Sequence, residues 1–383
     1  MRLLTPVLLA VLLLLAQACG SSQSAEVMNP VAEPAPNGTD NWPQFRGNPL
    51  LTGVSETALK EPLELAWIYE AGESIESSAA IVDGIVYVGS QSGELLALEL
   101  GTGELRWKYQ ATEAIGESSP AVSAGVVYVG DLAGVLHAVE VKSGAGLWTF
   151  ETEAEIRSSP VVVDGKVLFG SYDGHLYAVS ARTGKLLWKR QTEGPVHSTA
   201  SVAQGLAHIA GCDGYFRAIR VADGREVFQV LAGAYTGASP PLAGGRTFFG
   251  TFDNEVLGVD LRTHKVVWSY EHPTRHFPYN SSAAVAEGTV IVGGRDKMVH
   301  ALDARTGKEI WNFRTRARVD SSPVVAGGRV YVGSHDGRLY VLDLANGRKV
   351  WEFEAGAPVS ASPAIASGRV VVGDQDGRLY CFR

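Results

Sequence analysis

The sequence predicts an all-β fold, an eight-bladed β-propeller of four-stranded antiparallel blades, and three observations predict it. An aromatic residue recurs at Trp67, Trp107, Trp148, Trp188, Phe228, Trp268, Trp311 and Trp351, at intervals of 40 to 43 residues. A period near 40 with several short strands per unit is the mark of propeller blades. Small-residue pairs open eight units: Ser77-Ser78, Ser118-Ser119, Ser158-Ser159, Ser198-Thr199, Ala238-Ser239, Ser281-Ser282, Ser321-Ser322 and Ala361-Ser362. Between them lie short, β-branched, apolar runs divided by Asp-Gly and Thr-Gly pairs, which supply the positive φ that tight hairpin turns need.

The elements follow in chain order. Met1 to Ala18 carries one charge, Arg2, ahead of an apolar run, as a secretion signal does and a stable membrane span does not. Leu15-Ala16-Gln17-Ala18-Cys19 resembles a bacterial lipobox, in which Cys19 is lipidated and becomes the mature N-terminus. Ala16-Gln17-Ala18 also fits ordinary signal cleavage, which would leave a free secreted protein. Residues 19–41 are rich in Ser, Pro, Asn, Gly and Ala and cannot bury a core, so they are expected to form a disordered tether. The propeller then occupies residues 42–383.

Within it, Arg157 to Gln191 illustrates the unit. Ser158 to Val163 is the expected first strand, turned by Asp164-Gly165. Lys166 to Gly170 is the second, turned at Tyr172-Asp173-Gly174. His175 to Ser180 is the third, turned at Arg182-Thr183-Gly184-Lys185, and Leu186 to Gln191 is the outer fourth. The strand around Trp67 has no blade before it, and the last blade stops after its third strand at Phe382. The N-terminal strand should therefore complete blade eight and close the ring, leaving no open sheet at the junction.

Ala301-Leu302-Asp303-Ala304-Arg305-Thr306-Gly307-Lys308 followed by Trp311 resembles the tryptophan-docking repeat of the pyrroloquinoline quinone (PQQ)-like propellers. Trp42-Pro43-Gln44-Phe45-Arg46-Gly47 resembles the segment that opens many of them. The resemblance covers Trp42 to Arg383. It implies that each tryptophan packs between neighbouring blades against the turn glycine of the next motif. Phe228, His264 in place of the turn glycine, and Ala145-Gly146 depart from the pattern, so blades four, five and three are expected to pack less regularly. The family includes the propeller lipoprotein of the outer-membrane β-barrel assembly machine. That likeness implies a monomeric, non-catalytic periplasmic scaffold without cofactor, lipid-anchored to the outer membrane, whose partner is an envelope protein such as the barrel-inserting subunit. The family also includes the quinoprotein dehydrogenases, and that likeness would imply PQQ with calcium. A small-ligand or glycan-binding lipoprotein is a third reading.

Candidate site residues come from two places on one face. The residue before each small pair should point near the axis: Glu76, Glu117, Arg157, His197, Gly237, Asn280, Asp320 and Ser360. Their polar character suits a ligand or partner site, and a merely solvated channel rim is the competing reading. The 43-residue interval lengthens a loop that carries Arg275, His276, Phe277 and Tyr279. Exposed aromatics beside arginine are what protein interfaces concentrate. No metal site is expected, because His272 and His276 lie on a proline-containing loop without a nearby cysteine. Asp173, Asp213, Asp253, Asp296, Asp336 and Asp376 recur at one tight turn and read as turn caps. No catalytic residue is expected, since His197 and Ser198 are strand neighbours and point to opposite faces. Cys212 and Cys381 fall in blades four and eight, too far apart to pair. The formal charge of −8 makes nucleic acid an unsuitable partner, because an acidic surface repels phosphates.

Overall fold

A computed structural model describes residues 40–383. The expectations for the signal, Cys19 and the tether as far as residue 39 lie outside the described residues, and Asp40 and Asn41, the tether's last two, bond to Ser367 and Asp83. Within them, eight sheets radiate around one axis, each with four antiparallel strands from an inner to an outer edge. One of them gains a fifth, innermost strand, Val54–Ser55, which pairs in parallel with Val324–Ala326 of blade seven.

Blade three shows how the sequence makes a sheet. Its strands are Val161–Val163, Lys166–Gly170, His175–Ser180 and Leu186–Gln191. Asp164 and Gly165 both take positive φ (48° and 69°), the twist that two-residue hairpin turns require. The first strand is shorter than the expected Ser158–Val163. Pro160 has no N–H for a ladder, and Ser158 and Ser159 direct their bonds elsewhere.

Those bonds form a belt. The backbone N–H of the second residue in each small pair donates to the hydroxyl of the same residue in the following blade. Ser78 donates to Ser119, Ser119 to Ser159, Ser159 to Thr199 and Thr199 to Ser239. Ser239 donates to Ser282, Ser282 to Ser322, Ser322 to Ser362, and Ser362 back to Ser78, all at 2.9–3.0 Å. The first serine accepts inside its own blade, as where the Gly170 N–H donates to Ser158 Oγ at 2.7 Å, and Ser118 and Ser321 also donate to Ser158 O and Ala361 O of the following blade. The paired serines thus satisfy buried backbone groups where inner strands crowd.

Apolar side chains fill the spaces between blades. Leu168, Leu176 and Ala178 of blade three meet Ala207, Ile209 and Ile219 of blade four. Inner strands are buried on both faces, whereas Leu186–Gln191 alternates between exposed and half-buried. A bulge shifts register in each outer strand, at Ala178/Val179 in blade three, and such bulges re-aim side chains. Here the ring that follows comes to lie over the next blade. The indole N–H of Trp148 donates to Ala181 O at 3.2 Å and that of Trp188 to Val221 O at 3.0 Å. A Cβ on Gly184 would come within 2.6 Å of Trp148, so only glycine fits beneath the ring.

The expected irregularities are absent at this level. Ala145-Gly146 belongs to blade two rather than blade three, and there Gly144 underlies Trp107, which donates to Val141 O at 2.8 Å. Between blades four and five, Phe228 stacks on His264 with centroids 3.8 Å apart and planes 11° off parallel. The smaller ring leaves space for an imidazole where indole demands glycine. His264 adopts positive φ, 55°, and so keeps the turn that glycine makes elsewhere.

Leu65–Glu70 pairs antiparallel with Arg378–Phe382, with Trp67 opposite Cys381. Glu64 and Arg383 exchange backbone hydrogen bonds at 2.9 Å. The N-terminal strand therefore completes blade eight and closes the ring.

Residues 42–53 run across one end of the axial channel before they enter that strand. Trp42 bridges to Ile81. The N–H groups of Val122, Val202, Leu242, Val285 and Val325 donate to Pro43, Pro49, Leu50, Thr52 and Gly53, at 2.7–2.9 Å. Ser55 Oγ donates to Ile365 O at 2.9 Å. One segment thus satisfies innermost-strand groups from seven blades and plugs the channel. Its Arg46 is fully buried, donates from Nη2 to Ala283 O at 3.0 Å, and is pushed down to about 9 by burial.

Candidate functional site

Above the plug the channel opens into a cup of about 220 Å³. Phe45 rises from the plug into its floor, and the belt residues Ser78, Ser159, Thr199, Ser239, Ser282, Ser322 and Ser362 line its wall. Their hydroxyls already accept one bond each, and a hydroxyl keeps a proton to donate.

All eight residues placed before the small pairs come together at this cup. Glu76 Oε2 accepts from Gln91 Nε2 at 3.0 Å. Glu117 Oε2 lies 3.2 Å from His197 Nε2, while His197 Nδ1 meets the Tyr172 hydroxyl at 2.7 Å. Arg157 donates to Glu155 at 2.6 Å, with its guanidinium 5.3 Å from the Tyr172 ring centre. Gly237 is closely covered, and a Cβ there would come 2.9 Å from Asn280 Oδ1 and 3.2 Å from His197 Cδ2. Asp320 is the most heavily paired: Arg295 Nε and Arg318 Nε each lie 2.9 Å away, and His335 Nε2 lies 3.2 Å away. Ser360 accepts from Gln375 at 3.1 Å.

Burial alone would raise the Asp320 carboxyl, but His335 and Arg295 outweigh it and hold it at about 2. Glu117 follows the same logic. Burial pushes it up, and His197 with Arg157 brings it below the ordinary carboxylate range. Both are ionised at neutral pH.

The sequence reading missed a second column of the rim. Tyr172, Arg295, His335 and Gln375 stand at one register of the repeat, just after the second strand; Arg295, His335 and Gln375 line the cup with Arg318, and Tyr172 supports His197 from behind. Aligning the repeats on that turn exposes the column. Phe45 carried no such signal, because its position depends on the path of the plug.

The lengthened loop divides. Arg275 donates to Asp296 O at 2.9 Å, and His276 meets Glu271 at 2.6 Å. Phe277 is 48% exposed. Tyr279, expected to be available to a partner, is fully buried at 0%. It covers Gly250 and stands 5.4 Å from the His300 ring. The physical reason is register: Ile75, Ile115, Ile156, Val196, Val319 and Val359 cover the equivalent glycines at six other junctions, and Tyr279 is the large version of that contact. A neighbouring pair replaces it at the surface. Tyr235, 51% exposed, stacks on Phe252 at 4.5 Å, and Arg295 lies 5.6 Å from the Phe252 ring.

The turn aspartates cap as expected in blades three, four, six and seven, with Asp173 accepting from the Glu153 and His175 backbone N–H groups. Blade eight uses Asp374 rather than Asp376, and blade two adds Asp131. Cys212 and Cys381 are free thiols.

PQQ with calcium fits these residues poorly. The cup is smaller than the roughly 300–1,000 Å³ usual for larger ligands. Among the described residues no three His, Cys, Asp or Glu side chains converge as metal ligands.

The sequence profile of the family described as "Outer membrane protein assembly factor BamB" matches residues 35–156, 132–277 and 274–383. No curated protein matches the sequence. Among solved structures, BamB from Moraxella catarrhalis aligns at 17% identity and TM-score 0.73, over 84% of this chain and 99% of its own. The quinohemoprotein alcohol dehydrogenase of Comamonas testosteroni aligns at 16% identity and TM-score 0.80, over 90% of this chain and 80% of its own. The computationally designed Ika8 protein aligns at 17% identity and TM-score 0.74, over 83% and 99%. At these identities the likeness is one of fold.

Proposed function

We propose that this chain, which belongs to the family of the outer membrane protein assembly factor BamB, is a non-catalytic scaffold in the bacterial envelope. In this reading it is a lipoprotein anchored through Cys19 to the outer membrane and facing the periplasm. It holds an envelope protein partner, such as a subunit of the outer-membrane assembly machinery. The carrying observation is the surface beside the cup, where Tyr235, Phe252 and Phe277 stand with Arg275 and Arg295 on blades four to six. Aromatic and arginine side chains in one solvent-facing patch are the composition of interface hot spots. The other rim residues, Glu76, Glu117, Arg157, His197, Asn280 and Asp320, would frame that contact.

Affinity capture of the tagged full-length protein from detergent-solubilised envelope tests this. Outer-membrane assembly subunits should be recovered, and the double substitution Tyr235→Ala, Phe277→Ala should reduce recovery at least about tenfold. An abundant wild-type bait that captures none of them overturns the reading. A saturable quinone absorbance band after incubation with PQQ and calcium would favour a dehydrogenase instead.

A further inference from the structure

We propose that the axial cup is a binding site for a small zwitterion of the size of one α-amino acid, with Arg318 holding its carboxylate and Glu117 its ammonium group.

The argument begins with enclosure. Plug and belt close the channel from below, so the cup of about 220 Å³ opens on one side only. That volume suits a molecule of amino-acid size rather than a larger cofactor, because small-molecule sites bury most of the ligand surface.

Charge comes next. Glu76, Glu117 and Asp320 line the cup, and so do Arg157, Arg295 and Arg318. The lining is therefore balanced in charge although the chain as a whole carries −8. A balanced cup has no net preference for an anion or a cation. It does have two poles. Glu76 and Glu117 stand on blades one and two, whereas Arg295, Arg318 and His335 gather around Asp320 from blades six and seven. In a ring of eight, blade two faces blade six.

The third point is unused bonding capacity. Asp320 has both oxygens engaged by its neighbours. Arg318 contacts it through Nε and is 52% exposed, so its terminal nitrogens can take a carboxylate, for which guanidinium is shaped. Glu117 is 43% exposed and touches His197 through Oε2, leaving Oε1 for an ammonium group. Between the poles, the belt hydroxyls can donate and Phe45 offers an apolar floor. Specificity then follows from geometry: a dicarboxylate meets Glu117, and a diamine meets Arg318, each leaving a like charge unpaired.

The test is isothermal titration of the full-length protein with glycine, serine, leucine, glutamine and glycylglycine, alongside succinate, putrescine and glucose. Saturable binding of at least one zwitterion is expected, with succinate, putrescine and glucose at least about tenfold weaker. Arg318→Gln and Glu117→Gln should each weaken the zwitterion at least about tenfold. Their circular dichroism should match wild type, and their unliganded melting temperatures should fall by no more than a few degrees, since a partly exposed ion pair contributes at most about 1 kcal/mol. Should Arg318→Gln fail to fold, Arg318→Lys keeps the charge and loses the fork, and the same weakening is expected. The proposal is overturned if no zwitterion binds, if succinate, putrescine or glucose binds as tightly, or if both substitutions leave binding intact. Recovery of protein partners is a separate readout, so scaffold and ligand site stand or fall independently.

Discussion

Two buried histidines show how one residue type serves opposite electrostatic ends. His208 sits between Phe216, centroid distance 5.9 Å, and Phe228, 6.5 Å. Burial pushes its imidazole down to about 4, so it is neutral in the fold. An unfolded chain takes up that proton near pH 6.5, so its contribution is complete above about 6.5 and is lost as pH falls towards about 4. The full effect is roughly 3 kcal/mol. His300 is equally buried, but its Nε2 lies 3.0 Å from Asp296 and its Nδ1 3.1 Å from Glu309. Burial alone would lower it, and the two carboxylates outweigh that and raise it. A carboxylate on each nitrogen calls for the imidazolium. Its contribution is complete below the unfolded value near 6.5 and is lost as pH rises through the folded value. Chemical denaturation midpoints measured from pH 4 to 9 check both. His208→Leu should flatten the acid limb, and His300→Gln should flatten the alkaline limb while lowering stability at pH 6.

At the scale of elements, the ring-on-turn contact is the repeating joint, and it tolerates substitution only in pairs. Trp188 over Gly224 and Phe228 over His264 are two solutions to one geometry. Phe228→Trp alone should destabilise by about 1–3 kcal/mol, since indole demands glycine beneath it. His264→Gly alone removes a stacked ring. Together they should recreate the common joint, including an indole bond to Leu261 O, and recover at least about 1 kcal/mol relative to the sum of the singles. Urea denaturation of the four proteins measures the coupling. Additive effects would show that the stacked pair is not a unit. At the same scale, some contacts are legible in the sequence and others are not. Trp148, Gly184 and Asp164-Gly165 are legible because local sterics dictate them. Tyr279 is not, because a tyrosine on a proline-rich loop reads as exposed unless its register against Gly250 is known.

The whole molecule depends on circular closure, of blade eight by Leu65–Glu70 and of the belt by Ser362 to Ser78. Nearest-neighbour contact between blades makes propeller stability a sum over junctions, and a ring has one junction more than an open stack. Ending the chain at Gly377 removes the strand that pairs with Leu65–Glu70. The truncated protein should lose cooperative thermal unfolding and elute at a larger hydrodynamic volume than wild type; a sharp transition at the wild-type temperature would contradict closure. The sequence by itself determined the blade number, the four strands, the docking residues and the closing strand, because each follows from short-range rules repeated every 40 or so residues. Tertiary structure alone decided the plug, the cup and the pairing of Asp320 with Arg295, Arg318 and His335. Arg295 reaches Asp320 from the neighbouring blade and His335 from the far end of the second strand, so both neighbours are set by the folding of the sheets around the axis, and only Arg318 is near in sequence.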